Sequence, residues 1–253
     1  MEVHHHPHVE KKGFKEYILE GLMIFIAVTL GFFAEGVREH ISDRSKETEF
    51  MRSMVQDLKA DTASLSYAVK DFTNIFSNVD TMLHCLKSDK PDGSIINRLV
   101  SKRFWAYSAY SYNNRTIQQL RNAGNFRLIQ NAKVTDSIIM YDNYQNTIMV
   151  GQYNDLKNTM YAYKEIEARV IHYKELKLPK GAGRLSYADT AAFVNTGRSI
   201  FMTPDKELVS LYYNRLFIHG MLGYLFITNM KSARTQAARL IIFIKKEYHL
   251  DDE

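Results

Sequence analysis

The feature that most limits what this chain can become is the stretch at residues 17–36, YILEGLMIFIAVTLGFFAEG. From Ile18 to Ala34 its only ionisable side chain is Glu20. A helix of about 20 residues, rising about 1.5 Å per residue, crosses a hydrocarbon core of about 30 Å. Lys11, Lys12 and Lys15 stand just before it, the layout of a signal peptide or a signal anchor. A cleavable signal ends in small residues, whereas this one ends Gly31-Phe32-Phe33-Ala34-Glu35, with bulky Phe32 in the way. The expectation is therefore a cytosolic His- and Lys-rich tail over 1–16, an uncleaved transmembrane anchor over 17–36 and a helical domain over 37–253.

Orientation is less constrained. Lys11, Lys12 and Lys15 flank one side while Arg38, Arg44, Lys46 and Arg52 flank the other, so the positive-inside count does not decide. A short basic tail is usually retained in the cytosol while the long domain crosses. That places a single-pass anchor in an inner membrane and the bulk of the chain in the periplasm. The single cysteine, Cys85, excludes an intrachain disulfide and a CxxC metal site.

Beyond the anchor no proline or glycine occurs between Val37 and Lys90. Met51, Leu58, Leu65, Phe72, Val79 and Leu86 recur every seven residues as a bundle seam. Met54, Ala68, Ile75 and Met82 fill most positions three residues on, joined by Val55, Val69, Phe76 and Leu83. So broad a stripe belongs to a helix with several neighbours, not to a bare two-stranded coil. It runs to about Lys87, where Ser88-Asp89-Lys90-Pro91-Asp92-Gly93 supplies turn chemistry. Shorter helices follow, one over Thr116–Asn122 closed by Gly124, then one turn at 125–129. A second long helix is expected from Ala132 to Leu178, striped by Val134, Ile138, Tyr141, Ile148, Leu156, Met160, Tyr163, Ile166 and Val170, with Gln145, Gln152 and Tyr153 nearby. A third starts at Thr203-Pro204, threonine capping and proline at the first helical position, and runs to about His249. Within it Leu216 to Ile227 is apolar nearly all round, but only 15 residues separate Arg215 from Lys231, so a buried central segment is expected instead of a second crossing. The predicted fold class is all-α: a transmembrane helix continuing into an elongated bundle of three long helices plus short ones.

Candidate functional residues are few. Glu20, Ala27 and Ala34 share one heptad line of the anchor, Ile24, Gly31 and Arg38 the next, and Glu35 adjoins both. Ala27-x-x-x-Gly31 is a small-xxx-small pattern that lets helix backbones approach, and an intramembrane acid is costly unless it faces protein or water. Self-association through Glu20, Ala27, Gly31 and Glu35 is the expectation; the plain alternative is that Glu20 snorkels to the headgroups. His4, His5, His6 and His8 are dense enough to bind a transition metal, yet they precede any folded element, and such a tail is equally inert or a tag remnant. No cofactor is expected.

Signatures of enzymes are absent: no Walker loop, HExxH, GxSxG or dinucleotide glycine fingerprint occurs. Glu39-His40 and Glu167…His172 have the wrong spacing for a di-iron bundle, and His84, His172 and His219 are isolated. Trp105, Tyr107, Tyr110, Tyr112, Asn113, Asn114 and Arg115 form an aromatic and amide-rich patch that suits either a contact surface or the packing of a bend. Net charge is +5 and basic residues are interleaved with acids, so nucleic acid is not an expected partner. The expected partners are the lipid bilayer, other copies of the chain and other membrane proteins.

Residues 11–61, which run from KKGFKEYILEGLMIFIAVTLGFFAEG to FMRSMVQDLKAD, and NNRTIQQLRNAGNFRLIQN at 113–131 resemble an uncharacterised family of bacterial single-pass membrane proteins with an N-terminal anchor and a helical extracytoplasmic domain. The shared features are a basic start, a membrane helix ending near Phe-Phe-Ala-Glu and a long helix opening with Arg38-Glu39. The resemblance implies the anchor and the helical domain and transfers no catalytic residues. The functional expectation is a membrane-anchored, homo-oligomeric scaffold or interaction protein with no catalytic activity. The alternatives are an oligomeric channel or transport-accessory subunit with Glu20 and Glu35 at a pore mouth, then an extracytoplasmic sensor.

Overall fold

The computed structural model describes residues 13–88, 91–101, 110–171 and 203–250, and among these there is no strand. The chain is all-α. Helix α1 spans Phe14–Leu86, α2 Gly93–Ser101, α3 Arg115–Asn122, α4 Ala132–Asn143, α5 Val150–Val170 and α6 Lys206–Tyr248. A 3-10 turn, Asn125–Leu128, precedes α4, and a π-helical turn, Tyr144–Met149, joins α4 to α5. The chain divides into two compact units, Met1–Phe50 and Met51–Glu253.

In the first unit the apolar run of α1 has no cover. Every residue from Gly13 to Ser42 is exposed, and this helix is long and apolar enough to cross a membrane. Gly36 does not interrupt it.

In the second unit the heptad positions of α1 are buried. Met51, Leu65 and Val79 are fully inaccessible, and Leu58, Phe72 and Leu86 nearly so. At about 1.5–3 kcal/mol for each large apolar side chain removed from water, this row outweighs any single polar contact in the unit. Its partners are α4, α5 and α6. Phe72 meets Phe226 edge-on at 5.3 Å, and Phe76 lies 5.4 Å from His219. Arg234 reaches Ser66 while Tyr224 hydrogen-bonds Asp80, so α6 runs antiparallel to this part of α1. Asn131 bonds Glu247, and Tyr212 bonds Glu167, so α6 is also antiparallel to α4 and α5.

Helix α6 passes close to α1 because of Gly223. A Cβ there would fall 2.0 Å from the Phe76 ring, and one at Gly220 would fall 3.3 Å from Val79. The glycines are what let a bulky phenylalanine sit between the two helices.

Several local expectations need correction. The cap of α6 is Asp205, whose Oδ1 accepts from the Glu207 and Leu208 amides, instead of Thr203. Proline at 204 therefore precedes the cap, and an aspartate there satisfies two amides that a helix start leaves orphaned. The second long helix is not uniform: the π turn interrupts it, and Ile171 has extended backbone after Val170. The turn shifts the stripe by one residue. Val134 and Tyr141 are buried, but the expected Ile148 is 39% exposed and Met149 takes its place, followed by Leu156, Tyr163 and Val170 at intervals of seven. One inserted residue is what a π turn contributes. Finally, Leu216–Ile227 is buried on one face only. His219, Gly220, Gly223, Phe226 and Ile227 face inward, whereas Phe217, Ile218, Met221, Tyr224 and Leu225 are exposed.

Candidate functional site

Three buried carboxylates organise the end of the second unit where α3 and α4 meet α1. Asp57 and Asp61 are one helical turn apart on α1, and Asp142 lies in the last turn of α4; all three are nearly inaccessible. Asp57 Oδ2 accepts from the Thr116 amide at 2.9 Å and its hydroxyl at 2.6 Å, and Oδ1 accepts from Arg115 Nη2 at 2.9 Å. Asn114, at the N-cap position of α3, offers no side-chain cap, so a carboxylate from another helix does that work and lies at the positive end of the α3 dipole. Asp61 Oδ1 accepts from the Asn113 amide at 2.8 Å and from its Nδ2 at 3.0 Å, and Oδ2 accepts from the Tyr141 hydroxyl at 2.8 Å. Asp142 accepts from Tyr112, Asn146 and Arg121.

Arg115 pairs with Asp57 and Arg121 with Asp142, while Asp61 has only neutral donors. Burial pushes the Asp61 carboxyl above the usual carboxylate range, against the pull of its hydrogen bonds, and the charge on Asp57 adds to the rise. Burial likewise raises the Tyr110, Tyr112 and Tyr141 phenols. Each carboxylate accepts from three protein donors, so the cluster fastens α3 and the 110–114 segment to α1 and α4.

Beside this clasp is a cavity of about 140 Å³ whose lining includes Tyr110, Tyr112, Gln145, Met149, Tyr153 and Phe226. Gln145 belongs to the π turn. It is 1% exposed, and neither its Oε1 nor its Nε2 has a hydrogen-bond partner. Each buried polar atom left unpaired costs about 1–3 kcal/mol. The Tyr110 hydroxyl is buried beside Tyr141 without a hydrogen bond of good geometry. Asn229 on α6 brackets the π turn from both sides, accepting from the Tyr144 hydroxyl at 3.2 Å and donating to Gln152 Oε1 at 2.6 Å.

A second buried polar group lies further along α5. Glu167 accepts from Tyr212 at 2.7 Å and from Lys164 at 3.0 Å. His219 is buried with its Nδ1 2.9 Å from Thr159 Oγ1; burial lowers it to about 3, so the ring is neutral.

Of the residues expected to matter, Glu20, Ala27 and Gly31 lie on the exposed face of α1, and a Cβ at Gly31 would meet nothing within 4 Å. Glu35 is engaged by Arg38 Nε at 2.9 Å and by Arg38 Nη2. His4, His5, His6 and His8, together with Trp105, Tyr107 and His172, lie outside the described residues. Among the described residues no group of three or more His, Cys, Asp or Glu side chains is placed to hold a metal ion. Tyr110, Tyr112 and Asn113 turn inward to the carboxylates and the cavity, which favours the packed-bend reading of that patch. Asp57, Asp61 and Asp142 belong to no recognisable motif in the sequence. One signal was available, since Asp61 is the gap in the Met54, Ala68, Ile75, Met82 series.

Comparison with protein-family models, curated proteins and solved structures returns no match to this chain.

Proposed function

We propose that this chain is a membrane-anchored helical interaction module that assembles with copies of itself and has no catalytic role. The observation that carries the reading is the outward stripe of α6. Phe217, Ile218, Met221, Tyr224 and Leu225 are 41–57% exposed and follow i, i+1, i+4, i+7, i+8 spacing. Monomeric surfaces seldom present so continuous an apolar row. Between Arg215 and Lys231 the only ionisable side chains are His219, which is buried, and Tyr224. An isologous contact, which sets a patch against its own copy, would therefore be apolar along the α6 row, with Asp80, bonded to Tyr224, as the acid at its border. An anchor that confines copies to one plane raises their effective concentration and favours such a contact. The exposed apolar run from Ile18 to Phe33 supports the anchor, and Ala27 and Gly31 supply a small-residue face through which anchors pack. In this reading the anchor lies in a bacterial inner membrane with the helical domain in the periplasm, as the resemblance of residues 11–61 implies. The three carboxylates spend their hydrogen bonds on tying helices together, which supports a structural role for that cluster.

The test is the mass of the detergent-solubilised full chain by light scattering. An oligomer is expected. Met221→Lys with Leu225→Lys should reduce it, and Gly31→Leu should weaken it independently. A wild-type monomer, or an oligomer indifferent to all three substitutions, contradicts the reading.

A further inference from the structure

The cavity beside the carboxylate clasp is walled by rings and thioether yet contains an amide with nothing to bond. Gln145 contributes one donor and one acceptor from the same edge, both buried and unpaired. The π turn widens the helix at this residue, and such turns recur at functional sites. Among the described residues no charged side chain lines the cavity. Behind its tyrosine wall stands Asp142, bonded to Tyr112 and paired with Arg121, so no uncompensated cation faces the cavity from that side to hold an anion. Phe226 is fixed by Phe72 on one side and meets Tyr153 at 6.1 Å on the other, so the apolar wall is pre-formed. Val150, half exposed, stands at the rim and marks an entrance.

We infer that this cavity is a binding site for a small neutral molecule that joins an apolar, ring-sized body to an adjacent donor and acceptor, as a primary amide or lactam does. The volume of about 140 Å³ is comparable to cavities of about 150 Å³ that take up benzene. The ligand's acceptor meets Gln145 Nε2, its donor meets Oε1, and its ring packs on Met149 and Phe226. This inference goes beyond the interaction module and does not rest on it, since every residue involved lies in the unit Met51–Glu253.

The probe is benzamide, titrated into the full chain in lipid nanodiscs with glutamine side chains labelled with nitrogen-15; the Gln145 signal is assigned by its loss in Gln145→Leu. The expected result is a saturable shift of the Gln145 amide signal with benzamide and none with benzoate. Gln145→Leu should weaken benzamide binding by about tenfold, the loss of one to two hydrogen bonds. Val150→Trp, at the exposed rim where folding tolerates it, should block entry and supplies the decision if Gln145→Leu does not fold. A Gln145 signal that stays put at saturating benzamide, or binding undiminished in Val150→Trp, overturns the inference and leaves water as the partner of the amide.

Discussion

Asp61 occupies a position where the spacing of α1 calls for an apolar side chain, and three donors from two other segments converge on it. Removing it takes the acceptor away from the part-buried Asn113 amide and the buried Tyr141 hydroxyl. Asp61→Ala should therefore lower unfolding stability by about 2–4 kcal/mol, measured by denaturant titration in detergent. Asp61→Asn should cost less, because burial already lifts this carboxyl toward its neutral form. A second expectation concerns His219. Its folded value near 3 lies below the unfolded value near 6.5, so the unfolded chain takes up a proton first as pH falls. The stability it contributes is complete above about pH 6.5 and drains away toward pH 3, by at most about 1.4 kcal/mol per pH unit. His219→Gln should flatten that part of the profile when thermal midpoints are compared by circular dichroism at about pH 7.5 and about pH 5. Asp61 was legible only as a gap in a heptad series; that Asp57 caps α3 was not, because the cap comes from 59 residues away and no local spacing encodes it.

At the scale of elements, heptad spacing was enough to place the long helices, since burial on one face leaves a period that survives in the sequence. Two features escaped it. The π turn adds one residue, so Ile148 and Met149 exchange roles, and either residue alone is a plausible core position. The cap of α6 is displaced by two residues because Thr203, Pro204 and Asp205 all carry start signals, and the carboxylate outcompetes the hydroxyl for the first free amides. The crossing of α1 and α6 depends on Gly223. Gly223→Ala would drive a methyl group into Phe76 and should destabilise the unit by about 1–3 kcal/mol, read from the thermal midpoint. Gly220→Ala, with ordinary contact at Leu83 and a tighter one at Val79, should cost less.

For the whole molecule, the apolar run before Phe50 is long and apolar enough to cross a membrane, whereas the helices after Met51 pack on one another. The first exposes its large side chains all round; the second buries a face of each long helix and leaves apolar side chains outside, a row on α6 among them. The all-round hydrophobicity of Leu216–Ile227 was visible in the sequence, but hydrophobicity alone does not say whether a face meets its own core or another chain. Contact with another chain is what disulfide trapping in intact membranes reads out. Met221→Cys would be placed in a chain whose own buried thiol is removed by Cys85→Ser, and two cysteines join only when their Cα atoms lie within about 7 Å. Mild oxidation should yield a covalent dimer with Met221→Cys and none with Tyr67→Cys, at a residue exposed on α1 outside the stripe. A chain that stays monomeric with Met221→Cys, or cross-links equally from both positions, would contradict that contact.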